Sequence, residues 1–260
     1  PIESEIYRVD LASETVTALS QRDGPDFAPL VSPNGARIAY RGYDDKLKAY
    51  QQTDVYIMAP DGGSVQNLTA SFDRTIDAIA WRSDGRALVG QTEVDGILTL
   101  VSIDLAGNVR TLLSDIGGTS LGRPYAAGSF SVATKAGGSS PLIAYTKGST
   151  NRPAEIALTR GSGNGRQLTK LNEDALGHLD LARIEEIKVT SSHDGREIEA
   201  WIALPPDFRP DGSFPMILEI HGGPATMYGP YFGAEIQRYA AQGYVTVYAN
   251  PRGSTGYGEK

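Results

Sequence analysis

The stretch ILEIHGGPATMYGP, residues 217–230, runs from an apolar segment into a His-Gly-Gly-Pro turn. The apolar segment begins at PMILEI (215–220), and after the turn FGAEIQRYAAQ (232–242) has amphipathic spacing and ends before Gly243. A second apolar segment, YVTVYAN (244–250), follows directly. Apolar strands joined by a helix are typical of a parallel sheet that is covered on both faces. The pattern therefore predicts the start of an α/β domain.

The glycine pair Gly222-Gly223 lies where the first of these predicted strands has just ended. Two glycines let the backbone turn sharply and approach a ligand, with N–H groups free to face a developing negative charge. That arrangement is half of an oxyanion hole. A plain glycine turn ahead of a helix is the alternative interpretation of the motif.

Upstream of this stretch, the pattern changes at ARIEEIKVT (182–190), where a new alternating run begins. Asp194-Gly195 separates that run from EIEAWIALPPDF (197–208), and Asp-Gly between two alternating runs predicts a β-hairpin. We therefore assign residues 181–260 to a second domain of the α/β class.

The preceding 180 residues contain an internal repeat. VSPNGARIAY (31–40) aligns with WRSDGRALVG (81–90), 50 residues later, and QNLT (66–69) is echoed by RQLT (166–169) after 100 residues. Short alternating strands separated by Gly-containing turns at this period are typical of β-propeller blades. Residues 1–180 are thus predicted to form a partial propeller of about three to four blades.

Composition excludes several classes of protein and site. The net charge of −7 argues against a nucleic-acid or anionic-membrane partner, and without cysteine the chain has no disulfide or thiolate metal site. No metal and no cofactor are expected. No apolar run approaches the length of a membrane span, and PIESEIYRVD (1–10) has neither a basic nor an apolar leader. The compartment stays open, with the cytoplasm favoured.

One motif is interpreted as misleading. GGTSLG (117–122) matches the G-x-S-x-G nucleophile elbow, with Ser120 at its centre. The elbow requires a buried strand, a tight turn and then a helix. Here Pro124 follows and YAAGSF (125–130) leads into another strand, so Ser120 is predicted to lie in an ordinary turn between strands.

Residues 214–260, with the motifs HGGP and NPRGSTGYG, resemble the start of the catalytic domain of the prolyl oligopeptidase family of serine peptidases, especially its acylaminoacyl-peptidase branch. That family joins an N-terminal β-propeller to an α/β-hydrolase domain in this order, so the resemblance covers the whole chain. It implies that residues 181–260 are the N-terminal portion of the α/β-hydrolase domain. It implies that the backbone of Gly222 and Gly223 supplies an oxyanion-hole donor. His221 stands where other branches place a tyrosine donor. It is expected to pack beneath the loop and orient the glycines, with a direct polar contact to the substrate as the alternative.

The resemblance also implies that the nucleophile, acid and base of the catalytic triad lie beyond residue 260. His178 and His193 are expected to be ordinary loop residues, and with His221 they are the only histidines. Arg252, in NPRGSTG, is expected to hold the loops of the site in place, with substrate binding as the alternative.

The predicted function is that of a serine peptidase that hydrolyses short peptides, with the propeller as a size filter. The 260-residue portion alone is expected to be inactive and to depend on the complementary remainder of the same protein. A non-catalytic propeller binding module with a degenerate hydrolase remnant is one alternative, and an esterase of the same fold is another. Homo-oligomerisation stays open.

Overall fold

The computed structural model describes residues 3–134, 140–223 and 225–259, and within them it contains 18 β-strands and two short α-helices. The first part is a hairpin followed by three four-stranded antiparallel sheets, each with its strands in sequence order. The hairpin is β1 (Tyr7–Val9) and β2 (Val16–Ala18), and the first sheet is β3 (Asp26–Val31), β4 (Ile38–Gly42), β5 (Asp54–Met58) and β6 (Gln66–Asn67). The second sheet is β7 (Ile76–Trp81), β8 (Ala87–Val94), β9 (Ile97–Asp104) and β10 (Val109–Leu113), and the third is β11 (Phe130–Val132), β12 (Leu142–Ser149), β13 (Arg152–Arg160) and β14 (Arg166–Gln167).

The predicted repeat is visible in the turns of the first two sheets. The β3–β4 and β7–β8 turns are closed by equivalent bonds, in which the Gly35 N–H donates to Ser32 O and the Gly85 N–H to Arg82 O, both at 2.9 Å. Both glycines are left-handed, with φ of +68° and +65°. The 50-residue spacing thus reproduces one supersecondary unit.

The three sheets stack face to face, with the second sheet in the middle. Successive residues of its strands point to opposite faces and so enter two different hydrophobic cores. In β8, Leu88 packs with the first sheet and the adjacent Val89 packs toward the third. In β9, Val101 likewise packs with the first sheet and Leu100 packs toward the third. The described residues form no closed ring of sheets.

The second part is a mixed sheet with one helix. After the short helix α1 (Glu173–Leu176), the sheet has the order β15-β16-β18-β17. Its strands are β15 (Arg183–Thr190), β16 (Glu197–Leu204), β17 (Met216–Glu219) and β18 (Val245–Ala249), and α2 (Ala234–Ala241) connects the last two. β17 and β18 are parallel, and β15 and β16 form the hairpin predicted at Asp194-Gly195. The division at residue 180 stays a prediction.

One face of this sheet is buried, and the other is exposed along the edge strand β17. Trp201, Tyr248 and Ile236 pack together where α2 covers the sheet. On the opposite side of β17, Met216, Leu218 and Ile220 are 64%, 56% and 66% exposed. The sheet was predicted to be covered on both faces, and within the described residues the second face is uncovered at β17.

The turn between β8 and β9 joins the two parts of the chain. Its Asp95 N–H donates to Gly256 O at 3.2 Å, and the next strand's Leu98 N–H donates to the Tyr231 hydroxyl at 2.7 Å. A Cβ at Gly96 would lie 2.7 Å from the Trp201 ring, so only glycine permits this approach. Neither helix in the described part of the chain is long and apolar enough to cross a lipid bilayer.

Candidate oxyanion-hole loop

The His-Gly-Gly segment lies at the carboxyl end of β17, beside the parallel strand β18. His221 is buried, whereas Gly222 and Gly223 are exposed. Gly223 has φ of +143°, and a Cβ there would lie 2.9 Å from Ala225 N. The turn therefore requires glycine at this position. Pro224 lies outside the described residues.

The backbone donors of the two glycines are available. Among the residues that the structure describes, neither the Gly222 N–H nor the Gly223 N–H donates to a carbonyl or a side chain. Backbone N–H groups without a protein partner are costly when buried, but these two lie at the surface of the loop. They are thus free to bind an anionic oxygen.

The His221 ring is held on two sides. Its Nδ1 lies 2.9 Å from Gly222 O and its Nε2 lies 3.0 Å from the Ser254 hydroxyl. Because a carbonyl only accepts, Nδ1 donates to Gly222 O. The Ser254 hydroxyl, which itself donates to Pro251 O at 2.7 Å, lies against Nε2. The ring also packs against Tyr228 in a T-shaped contact, with centroids 5.0 Å apart and planes at 88°.

The hydrogen bond between His221 Nδ1 and Gly222 O also affects the direction of the Gly223 N–H. The Gly222 C=O and the Gly223 N–H belong to one planar trans peptide and point in opposite directions. When the His221 ring holds the carbonyl on its own side, the Gly223 N–H is directed away from the ring. The geometry supports an orienting role for His221, and this role stays a prediction.

Arg252 is engaged with the β15–β16 turn. Its guanidinium forms a two-pronged ion pair with Asp194, and its Nη2 also donates to the Ser191 hydroxyl at 2.8 Å. The hydrogen bond with Arg252 holds the pKa of Asp194 well below its usual range, and the same bond raises the pKa of Arg252. Because the Arg252 guanidinium already has a carboxylate partner, the arrangement supports a scaffolding role for Arg252.

The other residues singled out from the sequence lie apart from this loop. His178 and His193 are exposed, in keeping with ordinary loop positions. The Ser120 hydroxyl donates to Arg123 O at 2.7 Å, and no helix follows it before β11. Within residues 3–134, 140–223 and 225–259, no group of His, Asp or Glu side chains is arranged to hold a metal.

Sequence reasoning missed the cavity that adjoins the loop. It has a volume of about 370 Å³ and includes Tyr50, Asp77 and Glu93 from the first part, with Ala225 and Thr255 from the second. Burial raises the pKa of the Glu93 carboxyl to about 7. The only sequence signal was a charged residue within an apolar strand pattern, which does not reveal what the strand faces.

The support of the loop was also missed. Ser254 lies inside the NPRGSTGYG motif that was recognised, but its contact with His221 joins residues 33 positions apart. Glu219 interrupts the otherwise apolar segment 215–220, and that interruption was a usable signal. Its carboxylate is buried and accepts from the Tyr228 hydroxyl at 3.1 Å.

The fold thus places the chain in a class of proteins that join stacked antiparallel sheets to an α/β unit with a glycine loop at a strand end. No protein-family model matches the chain. Dipeptidyl-peptidase 5 of Trichophyton schoenleinii is 32% identical over 247 residues, which are 92% of this chain and 32% of that protein.

Two solved structures extend the likeness. The acylaminoacyl peptidase of Pyrococcus horikoshii matches with a TM-score of 0.75 and 28% identity over 98% of this chain and 36% of its own. An acylaminoacyl peptidase in complex with Z-Gly-Gly-Phe-chloromethyl ketone matches with a TM-score of 0.73 and 27% identity, over 98% and 36%. The chain belongs to the prolyl oligopeptidase family of serine peptidases, and it spans about a third of the length of these relatives.

Proposed function

We propose that this chain contributes the propeller and the oxyanion-hole loop to a serine peptidase that hydrolyses short peptides. The observation that carries the proposal is the pair of available N–H groups on Gly222 and Gly223 at the end of β17, with His221 beneath them. Donors fixed in advance toward a developing oxyanion are commonly the largest single contribution to acyl-transfer catalysis. The Ser-His-Asp triad is proposed to lie outside residues 1–260.

The relatives support a peptide substrate. One is a dipeptidyl-peptidase, and two acylaminoacyl peptidases match in structure, one of them bound to a peptide chloromethyl ketone. The cavity beside the loop is proposed to receive part of the peptide, since residues of both parts of the chain line it. The stacked sheets are proposed to be blades of a propeller that admits short or unfolded peptides and excludes folded proteins.

The open side of the hydrolase sheet supports a need for further polypeptide. β17 is an edge strand, and its exposed Met216 and Leu218, with Ile220 directly after the strand, form an apolar row. Such an edge accepts another strand, and such a row requires cover. We propose that the remainder of the same protein supplies both, so that residues 1–260 alone are inactive.

The test is active-site labelling of the full-length protein that contains this chain. A fluorophosphonate is expected to label one serine outside residues 1–260, and labelling should abolish hydrolysis of short chromogenic peptides. Absence of labelling and of hydrolysis would instead support a non-catalytic binding module. Labelling with hydrolysis of p-nitrophenyl esters but not of peptides would support an esterase.

A further inference from the structure

The segment between β10 and β11 runs along the second part of the chain at residues 121–126, here termed the strap. Four backbone hydrogen bonds of 2.8 to 3.0 Å attach it there. They run from Ala234 N to Leu121 O, from Glu235 N to Gly122 O, from Gly229 N to Pro124 O, and from Ala126 N to Met227 O. The strap therefore meets both the start of α2 and the chain that follows the oxyanion-hole loop.

Arg123 is the charged residue of the strap, and it faces two carboxylates of the second part. Its Nε lies 3.0 Å from Glu235 Oε2 and 3.3 Å from Glu219 Oε1. The two carboxylates differ in burial, since the side chain of Glu235 is 44% exposed and that of Glu219 is 10% exposed. A buried carboxylate needs a cation or hydrogen-bond donors, so Glu219 depends on Arg123 far more than Glu235 does.

Glu219 in turn fixes Tyr228. Burial, together with the charge of Glu219, raises the pKa of the Tyr228 hydroxyl, which therefore stays protonated and donates to that carboxylate at 3.1 Å. The Tyr228 N–H donates to Asn250 Oδ1 at 2.8 Å, so the residue is held at both its side chain and its backbone.

The ring of Tyr228 also forms the T-shaped contact with the ring of His221. The contacts thus form one continuous path from Arg123 through Glu219 and Tyr228 to His221, whose Nδ1 bonds Gly222 O. The steps of the path are an ion pair, a hydrogen bond and a ring contact in turn, and contiguous networks of this kind can carry coupling between sites.

We propose that Arg123 is a positioning residue for the oxyanion-hole loop and that it acts from the strap through Glu219 and Tyr228. The inference rests on the proposed function, because it assigns the loop a catalytic role. It means that the sheets of the first part help to build the catalytic site as well as to restrict access to it.

An exposed ion pair ordinarily contributes little to stability, and the pair of Arg123 with Glu235 is of that kind. The pair with Glu219 is different because removal of Arg123 leaves a buried carboxylate two residues before His221. The resulting rearrangement is expected to shift the loop donors by a fraction of an ångström rather than to unfold the protein.

The experiment compares Arg123→Gln, Arg123→Lys and Arg152→Gln in the full-length protein. Arg152 also pairs with a carboxylate, since its Nε and Nη2 donate to Glu173 at 2.9 and 3.2 Å, and it serves as the control arginine. Hydrolysis of a short chromogenic peptide and of a p-nitrophenyl ester is measured per serine titrated with fluorophosphonate, so that misfolded protein does not count.

Arg123→Gln is expected to lower kcat per titrated site about tenfold with little change in KM, because small displacements of positioned groups are costly in the transition state. Arg123→Lys should recover part of this loss, and Arg152→Gln should leave kcat unchanged. An unchanged kcat per site in Arg123→Gln would overturn the inference. If Arg123→Gln does not fold, Tyr228→Phe replaces it, with the same expected loss and the same overturning result.

A wild-type protein that shows neither labelling nor hydrolysis would refute the proposed function, and a second measurement then tests the positioning role alone. Hydrogen exchange of the amides in residues 226–231 is expected to accelerate in Arg123→Gln and not in Arg152→Gln. Equal exchange in the two variants would overturn the inference.

Discussion

The two glycine pairs of this chain, Gly117-Gly118 and Gly222-Gly223, stand in motifs that both suggest hydrolase chemistry. In the first, the Gly117 N–H donates to Thr146 O at 2.9 Å and the Gly118 carbonyl accepts from Ala154 N at 2.9 Å. In the second, neither N–H has a partner among the described residues. The first pair has one N–H and one carbonyl bonded to the third sheet, whereas both N–H groups of the second pair are available.

The difference shows that the role of a glycine pair depends on whether its backbone N–H groups already have hydrogen-bond partners. Gly117 is also required for packing, because a side chain there would overlap the ring of Tyr231. Gly223 is required for its left-handed conformation. The same residue type therefore serves a close approach in one loop and an exposed turn in the other.

Gly223→Ala in the full-length protein is the most direct test of the catalytic role of the second glycine pair. The substitution forces a side chain into a left-handed conformation, 2.9 Å from Ala225 N, and so displaces the loop donors. Loss of one oxyanion-hole donor lowers kcat by about 100- to 1000-fold, and we expect a loss of that order. Steady-state kinetics on a short chromogenic peptide measures it.

Gly222→Ala is the companion variant. A Cβ at Gly222 would meet nothing within 4 Å, so this substitution is expected to cost much less than Gly223→Ala. Equal and small effects of the two variants would mean that the loop has no role in catalysis.

A smaller loss is expected from His221→Phe. The aromatic ring keeps the packing against Tyr228 but removes the hydrogen bond to Gly222 O, so the loop peptide loses its anchor. We expect kcat to fall about tenfold with little change in KM. Ser254→Ala keeps the Nδ1 bond and should lose less, and a larger loss from Ser254→Ala would contradict the orienting role.

The parts of the fold that follow local periodicity could be predicted from the sequence. The 50-residue repeat predicted the equivalent turns at Gly35 and Gly85, and the apolar segments predicted the parallel pair of β17 and β18. Helix α2 begins at Ala234 rather than at residue 232, because Gly233 is extended and ends the preceding loop.

The contacts between distant segments could not be predicted. Arg123 reaches Glu235 across 112 residues, and nothing in the strap's own sequence indicates that its carbonyls bond the first turn of α2. Sequence patterns specify which face of an element is buried, whereas such partners depend on how separate elements pack. The loop was therefore predictable as a motif, and its support was not.

Arg252→Gln and Asp194→Asn together test whether Arg252 has a scaffolding role or binds substrate. If Arg252 only secures the β15–β16 turn, the two substitutions should lower the melting temperature at neutral pH and change KM equally. Substrate binding by Arg252 would raise KM in Arg252→Gln alone. Thermal melting and kinetics on the full-length protein separate the two roles.

The same pair gives a pH dependence. Because Arg252 holds the folded-state pKa of Asp194 below its unfolded value, the stabilisation is complete above about pH 4 and is lost as the pH falls toward the folded-state pKa. The difference in melting temperature between wild type and Asp194→Asn should therefore shrink below about pH 4. A difference that grows on acidification would have the wrong sign for this pair.

The smallest effect is expected from Ser120→Ala, which tests the misleading G-x-S-x-G motif directly. The Ser120 hydroxyl donates to Arg123 O at 2.7 Å, so its removal costs one hydrogen bond, and the free energy of unfolding should fall by about 1 kcal/mol. The four backbone hydrogen bonds that attach the strap remain, so Arg123 should keep its place. Fluorophosphonate labelling and kcat per titrated site should match wild type, with denaturant unfolding as the measure of the small loss. Abolished labelling in a variant that still unfolds cooperatively would identify Ser120 as the nucleophile and reverse the roles of the two glycine loops.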